Sequence, residues 1–511
     1  MITLLGPALE NIDRSDPIYK SIAAAHPRLA KKDPEIWGSA AAAEAAVRLN
    51  WIDLDESSRD LLPILDAVSA KFRDRGRLVL CGMGGSSLAP EVIAKTFDKE
   101  IFILDSTDPD YLAHALNGPA ENLLVIVSSK SGSTIETSSQ RAFFEGYLTQ
   151  SNLDPTQHMV FVTDPGSPLD KDVRARGFTV INADPKVGGR FSALTAFGLT
   201  PAALMGVDAS ILLDQAGDCR TQLTSDPSVA LDVAYLLVTQ NKQFLGFTDH
   251  GSSFPGLSDW IEQLIAESTG KDEKGRLPIA TASFSEAASG GAFSVGFAEG
   301  ADLSVIAELG EHFLFWEWVT ALMGAALAID PFNQPNVTEA KEATSEVLKE
   351  WRNQLPLLNP SAIDEQVEIF GDGNTLTASL KNLIATTDSD GYIAIMAYLD
   401  RKDDAAIVEL RSILSDKSGR PVSFGWGPRF LHSTGQFHKG GQQNGSFLQI
   451  TGNTKRDFDV PGREFTFGTL LMAQAIGDSH ALGARKYPLL RLNLAERSAG
   501  ISQLLKAAKA L

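Results

Sequence analysis

The sequence predicts an α/β protein in which parallel sheets are flanked by helices. Two observations carry this: from Arg77 onward short, nearly continuous apolar runs alternate with helix-like stretches, and the loops after several of those runs collect glycines, hydroxyls and cations. Strands that are apolar on both faces and separated by helices form a parallel sheet covered on each side, with ligand loops at the carboxyl ends of the strands. At roughly 150 residues per domain, 511 residues leave room for three to four units, or for two large ones with extensions.

Residues 1–75 alternate helix-like stretches at 39–49 and 57–72 with breaks at Asp33-Pro34 and Asp53, and are expected to form an N-terminal helical arm. Strand candidates at 78–81, 101–104, 123–127, 159–163 and 179–181 define a first unit over 76–205. The rhythm continues at 243–248, 278–282, 303–308, 392–399, 422–426 and 447–451, read as a second unit over 206–455. Within it, the mostly polar stretch of about 342–389, with the turn Gly371-Asp372-Gly373-Asn374, is taken as an insertion. Residues 456–511, helical at 469–475 and 501–510, are expected to be a C-terminal helical arm.

A content of 43% hydrophobic and 21% charged residues excludes global disorder and a disulfide-dense scaffold. The net charge of −19 argues against a nucleic-acid or anionic-membrane partner, while a locally positive pocket for a small anion stays open. No basic leader opens the chain, the most apolar run (313–329) is interrupted by Glu317, and Cys81 of the two cysteines lies inside an apolar strand candidate. No export signal, membrane span, disulfide or metal centre is expected, and the expected location is the cytoplasm.

Two loops suit a phosphate. Gly82-Met83-Gly84-Gly85-Ser86-Ser87 follows the first strand candidate and precedes a helix, so its backbone N–H groups are available to an anion, although such a turn also merely connects strand to helix. Ser128-Ser129-Lys130-Ser131-Gly132-Ser133-Thr134 surrounds one lysine with hydroxyls at the next helix start and contains no carboxylate. Its serines and threonine would equally serve as N-caps. Neither loop has the spacing of a dinucleotide fingerprint or a Walker motif.

Candidate acid–base groups are fewer. Arg190, beside Gly188 and Gly189, suits a developing enolate because it stays protonated, or it caps a neighbouring helix. Glu267 ends an amphipathic stretch over 259–268 and by spacing alone reads as a solvated surface group. His432 and His438 share a segment rich in glycine and hydroxyls that favours proton transfer. There is no H-E-x-x-H zinc pair and no G-x-S-x-G elbow.

Taken together, GMGGSSLAP (82–90), SSKSGSTIET (128–137), GGRFSALTAFGL (188–199), ESTGKDEKG (267–275), DPFNQPNVTEAK (330–341) and LHSTGQFHKGG (431–441) resemble the phosphoglucose isomerase (glucose-6-phosphate isomerase) family, built from two sugar-isomerase (SIS) domains. The C-terminal half is most similar to the isomerase part of transaldolase/phosphoglucose isomerase fusion proteins, and no complete transaldolase barrel is expected. The resemblance implies two SIS-type domains plus helical arms, and reversible isomerisation of glucose 6-phosphate and fructose 6-phosphate through a cis-enediol. Gly85 and Ser86 would face the sugar, Ser129, Lys130, Ser131 and Thr134 would bind its phosphate, and Gln334 would contact substrate. Glu267 would move the proton between C2 and C1, Arg190 would stabilise the enediolate, and Lys341 and His432 would assist ring opening, with His438 in reserve. His432 follows Lys341 here, whereas most family members carry the histidine motif before the lysine motif. No cofactor is implied, the partner is a small phosphosugar, and the family suggests a homodimer sharing its active-site cleft. Two alternatives are a non-catalytic SIS-domain sugar-phosphate sensor and an isomerase of another phosphorylated, aminated or sulfonated sugar.

Overall fold

The computed structural model describes residues 1–225, 227–351, 355 and 359–511, and of residues 228, 337, 338, 340 and 341 the backbone only. Strand β1 (Thr3–Leu5) lies at the start of the chain. The next five strands, β2 (Arg77–Cys81), β3 (Phe102–Leu104), β4 (Leu123–Ser128), β5 (Met159–Thr163) and β6 (Thr179–Asn182), build an all-parallel sheet in the order β3-β2-β4-β5-β6. Strand β4 is buried along its whole length, as expected of a central strand with helices on both faces.

A second sheet follows from β7 (Phe244–Thr248), β8 (Leu277–Thr281), β9 (Phe293–Gly296) and β10 (Leu303–Ile306), parallel in the order β8-β7-β9-β10. β1 closes its edge antiparallel to β10. A third sheet contains β11 (Ala362–Asp364), β12 (Val367–Phe370), β13 (Tyr392–Tyr398), β14 (Val422–Trp426), β15 (Gly445–Gly452) and β16 (Leu489–Leu494), in the order β11-β12-β16-β15-β13-β14. Strands β13 to β16 are mutually parallel, and β11 and β12 extend the sheet antiparallel beyond β16.

The chain thus forms the expected α/β architecture of helix-flanked parallel sheets, but among the described residues the sheets number three. The single unit expected over 206–455 divides between the second and third sheets, because β13 to β15 share a sheet with β16, which β15 pairs with, and not with β7 to β10. The proposed insertion of about 342–389 contributes β11 and β12, and the expected C-terminal helical arm contains β16. In β16, Leu490, Leu492 and Leu494 point into the core of the third sheet while Arg491 and Asn493 alternate with them, a strand pattern short enough to pass for a loop between helices. The N-terminal arm is helical as expected except that β1 joins the second sheet.

The apolar helix Leu309–Leu327 is buried on all sides, with Trp316 and Trp318 inside the largest core. Its Glu317 carboxyl is buried too and pushed well above the usual range by burial. Among the described residues no helix is long and apolar enough to cross a membrane.

Candidate active site

In the first sheet β3 lies on one side of β2 while β4 to β6 lie on the other, so the strand order reverses between β2 and β4. Open α/β sheets bind ligands at the carboxyl edge of that point. A cavity of about 380 Å³ opens there, and ten of the residues singled out from sequence line it: Gly85, Ser86, Ser129, Lys130, Ser131, Thr134, Arg190, Glu267, Gln334 and His432. The side chain of Lys341 lies outside the described residues.

The loop after β4 is folded on its own hydroxyls. Ser129 Oγ accepts from Gly132 N at 3.2 Å, and Ser131 and Ser133 hydroxyls lie 2.7 Å apart. Thr134 occupies the N-cap of the helix Ile135–Gln150, yet no side chain caps that helix. The start of this helix lies beside the hydroxyls, where the helix dipole favours an anion. Lys130 Nζ is 2.7 Å from Asp164 Oδ2 and donates to Pro185 O at 3.1 Å. Burial raises the Asp164 carboxyl while Lys130 pulls it back down. Arg48 brings a second cation to the same cavity.

Arg190 is buried against the opposite group of residues. Its Nη1 lies 3.2 Å from Glu267 Oε1 and 2.9 Å from Gln334 Oε1, Nε donates to Ser268 Oγ at 2.8 Å, and Nη2 donates to Asn333 O at 3.1 Å. Burial lowers the guanidinium from its ordinary value, and Glu267 and Asp330 work against that. A guanidinium so fixed remains charged and offers N–H groups without reorganising. Glu267 is held on both oxygens, because Oε2 accepts from Gln263 Nε2 at 3.1 Å. The same Gln263 amide donates to His432 O at 2.8 Å, tying the glutamate to the histidine segment.

His432 Nε2 is 2.9 Å from Glu136 Oε1, a buried carboxylate that also accepts from Gln474 Nε2 at 2.7 Å. Thr107 Oγ1 in turn donates to Gln474 Oε1 at 2.7 Å. This chain of hydrogen bonds orients the imidazole from behind. His438 lies elsewhere: it is buried, stacks on Tyr392, shares a 2.9 Å hydrogen bond between Nδ1 and the Tyr392 hydroxyl, and burial pushes it down to about 3. It is a neutral core histidine.

Sequence reasoning missed Gln263, Glu136, Asp164 and Arg48. Gln263 sits one helical turn before Glu267, and Glu136 lies inside the hydroxyl-rich motif, so both carried a local signal. Asp164 follows the next strand of the sheet, and Arg48 lies in the N-terminal arm, where only the fold brings it near. One group among the described residues, His114, Asp400 and Asp403, has ligand atoms close enough to hold a metal ion, but these residues line a different cavity.

No family model matches the chain. It is 29% identical over 230 residues to a protein of Haloquadratum walsbyi named probable glucose-6-phosphate isomerase, covering 43% of this chain and 53% of that one. It is 32% identical over 209 residues to the glucose-6-phosphate isomerase of Campylobacter jejuni subsp. jejuni, covering 38% and 50%. The chain spans about half the length of the curated relatives it matches. Among solved structures, a glucose-6-phosphate isomerase from Chlamydia trachomatis shares its fold, with a TM-score of 0.54 at 18% identity over 68% of this chain and 88% of that one.

Proposed function

We propose that this chain is a glucose-6-phosphate isomerase that interconverts glucose 6-phosphate and fructose 6-phosphate by proton transfer through a cis-enediol. The observation that carries it is the pair of Arg190 and Glu267, 3.2 Å apart, in a cavity also lined by Lys130 and the hydroxyls of Ser129, Ser131 and Thr134. The names of the relatives and the shared fold support the same reading.

The phosphate is held by Lys130, the three hydroxyls and the N-terminus of the helix Ile135–Gln150. His432, oriented by Glu136, assists ring opening together with Lys341: the C1 hydroxyl gives up its proton and becomes the C1 carbonyl, while the bond between C1 and the ring oxygen breaks and the ring oxygen gains a proton. Glu267 then removes the proton on C2, and the electron pair moves into the C1–C2 bond as the carbonyl oxygen becomes an oxyanion. Arg190 meets that charge. Return of the proton from Glu267 to C1, with the C2 hydroxyl giving its proton to the former carbonyl oxygen, leaves the ketose. One carbon-bound proton and one hydroxyl proton change places and no net electron is transferred, so the step needs no redox cofactor. Homodimer formation, a phosphosugar as the small-molecule partner and a cytoplasmic location belong to the same proposal. A non-catalytic sensor would use the hydroxyl loop but gives no reason to fix a buried guanidinium against a carboxylate beside it.

The test is a coupled assay of the purified protein with fructose 6-phosphate. The wild type is expected to turn over, and Glu267→Gln to lose at least ~100-fold in kcat with little change in KM, the scale of one general base. In deuterated water, label is expected at C2 of glucose 6-phosphate. No turnover by the wild type overturns the isomerase reading, and an unimpaired Glu267→Gln overturns the base assignment.

A further inference from the structure

A second cavity, of about 270 Å³, shares two walls with the first. The helix Leu257–Thr269 presents Gln263 and Glu267 to the first cavity but Asp259 and Glu262 to the second. The turn Arg429–His432 presents His432 to the first and Arg429 to the second.

The charges of the second cavity do not balance. Its two arginines are already neutralised: Arg411 forms a two-pronged pair with Glu286 at 2.8 and 3.1 Å, and Arg429 Nη1 lies 2.7 Å from Glu91 and 2.9 Å from Asp105. Arg401 and Lys95 complete the latter cluster, Arg401 3.1 Å from Glu91 and 3.6 Å from Asp105 and Lys95 3.0 Å from Glu91, so three cations there meet two carboxylates, one cation more against the three acids that follow. Three lining acids remain, Asp249, Asp259 and Glu262, and the nearest cation contact to any of them is Arg429 Nη2 at 3.9 Å from Asp259. Asp249 is satisfied by Gly256 N, Ser258 N and Ser258 Oγ. Glu262 is not: the side chain is more than nine-tenths buried, Oε1 accepts from Ala280 N at 3.2 Å, and among the described residues Oε2 has no hydrogen-bond donor. That oxygen opens onto the cavity, where a donor carried by a ligand can reach it. Opposite lie the rings of Phe424 and Trp426, 5.0 Å apart and nearly perpendicular, faces that attract a cation and cover a carbon skeleton. The three acids are not among the side chains close enough together to share one metal ion, so the site suits a donor that spans them.

We propose that this second cavity binds a small organic ammonium compound, about the size of a short diamine or an amino sugar, with its charge against Glu262 and Asp259 and its skeleton against Trp426. The groups facing Glu262 agree: burial and Asp259 push its carboxyl up to about 8, and Arg411 and Arg429 only partly offset this. An ammonium there favours the charged form, so binding near neutral pH releases a proton and tightens as the pH rises from 6 to 8.

Binding is independent of the reaction proposed above, since neither Glu262 nor Asp259 lines the first cavity. Titration calorimetry of the full chain with 1,4-diaminobutane, against uncharged 1,4-butanediol, tests it. The expected result is saturable binding of the diamine alone, weakened at least five-fold by Glu262→Gln and by Asp259→Asn, and weaker at pH 6 than at pH 8. Absence of diamine binding, equal binding of the diol, or unchanged affinity in both variants overturns the proposal. Asp259 is half-exposed, so its variant carries the test even where Glu262→Gln disturbs folding.

Discussion

A Cβ at position 85 would lie 1.9 Å from the carbonyl oxygen of Gly189. Nothing larger than glycine fits, because the turn after β2 rests directly on the Gly189–Phe191 turn that carries Arg190. Gly84 has the same character: its φ is +56°, and a Cβ there would come within 2.9 Å of His432 O. The glycine-rich motif reads in the sequence as backbone access for an anion, whereas its main role in the fold is to let three segments of the cavity wall touch. Gly85→Ala is expected to part the two turns and cost about 1–3 kcal/mol of stability, the range for overpacking a tight contact. Fructose 6-phosphate binding should weaken with it. Gly189→Ala has nothing within 4 Å of its added carbon and should keep wild-type stability. Urea denaturation and ligand titration of the two variants check the contrast, and equal stability would mean that the turns can move apart without cost.

The helix Leu257–Thr269 shows what is legible in an element and what is not. Its apolar stripe of Trp260, Ile261, Leu264 and Ile265 is plain in the sequence and is buried as expected. Its Glu267 reads by spacing as a solvated surface group, but it is nearly buried and its neighbours Glu262 and Gln263 are buried, because cavities rather than bulk water lie beside them. Periodicity reports which side of a helix is apolar, not whether the other side meets solvent or a site. The pairing of His432 with Glu136 was hidden for a different reason, since 296 residues separate them and no local pattern encodes the contact. Glu262 gives the helix a measurable pH signature. The carboxyl stands near 8 in the folded chain, against an ordinary value of 4.5, so between those pH values the folded state holds a proton that the unfolded state has lost. Stability from this group is fully present below about pH 4.5 and declines as the pH rises through 8. Glu262→Gln cannot titrate and should flatten the decline in unfolding free energy between pH 5 and 8, with its largest gain over wild type at pH 8. Denaturant titrations across that range check it, and parallel wild-type and variant profiles would count against a protonated Glu262.

At the scale of the whole molecule, the second and third sheets repeat the strand order of the first, the second parallel strand lying outside the first and the third and fourth on the other side. Individual strands of all three were legible from their apolar runs, but a run does not state its partner, so β13 to β15 were assigned to the preceding unit and β16 to a helical arm. What holds the sheets in register is partly electrostatic. Glu91 and Asp105 stand on segments that follow β2 and β3 of the first sheet, and Arg401 and Arg429 on segments that follow β13 and β14 of the third. Asp105 is 1% exposed, and the other three side chains are between 11 and 16% exposed. Such a network contributes little net stability over apolar packing, but removing one partner strands the others. Arg429→Met is therefore expected to cost about 3–5 kcal/mol by leaving Asp105 to Arg401, and Glu91 to Arg401 and the half-exposed Lys95. Because Arg429 begins the turn that ends in His432, turnover of fructose 6-phosphate should fall in the same variant even at temperatures where it stays folded. Lys509→Ala supplies the contrast: its 2.8 Å pair with Glu409 is exposed on both sides and should change stability by no more than about 0.5 kcal/mol. Urea unfolding of the two variants beside the wild type decides the matter. A loss below about 1 kcal/mol in Arg429→Met would mean that apolar contacts alone align the first and third sheets, and an unchanged turnover rate would separate the cluster from the placement of His432.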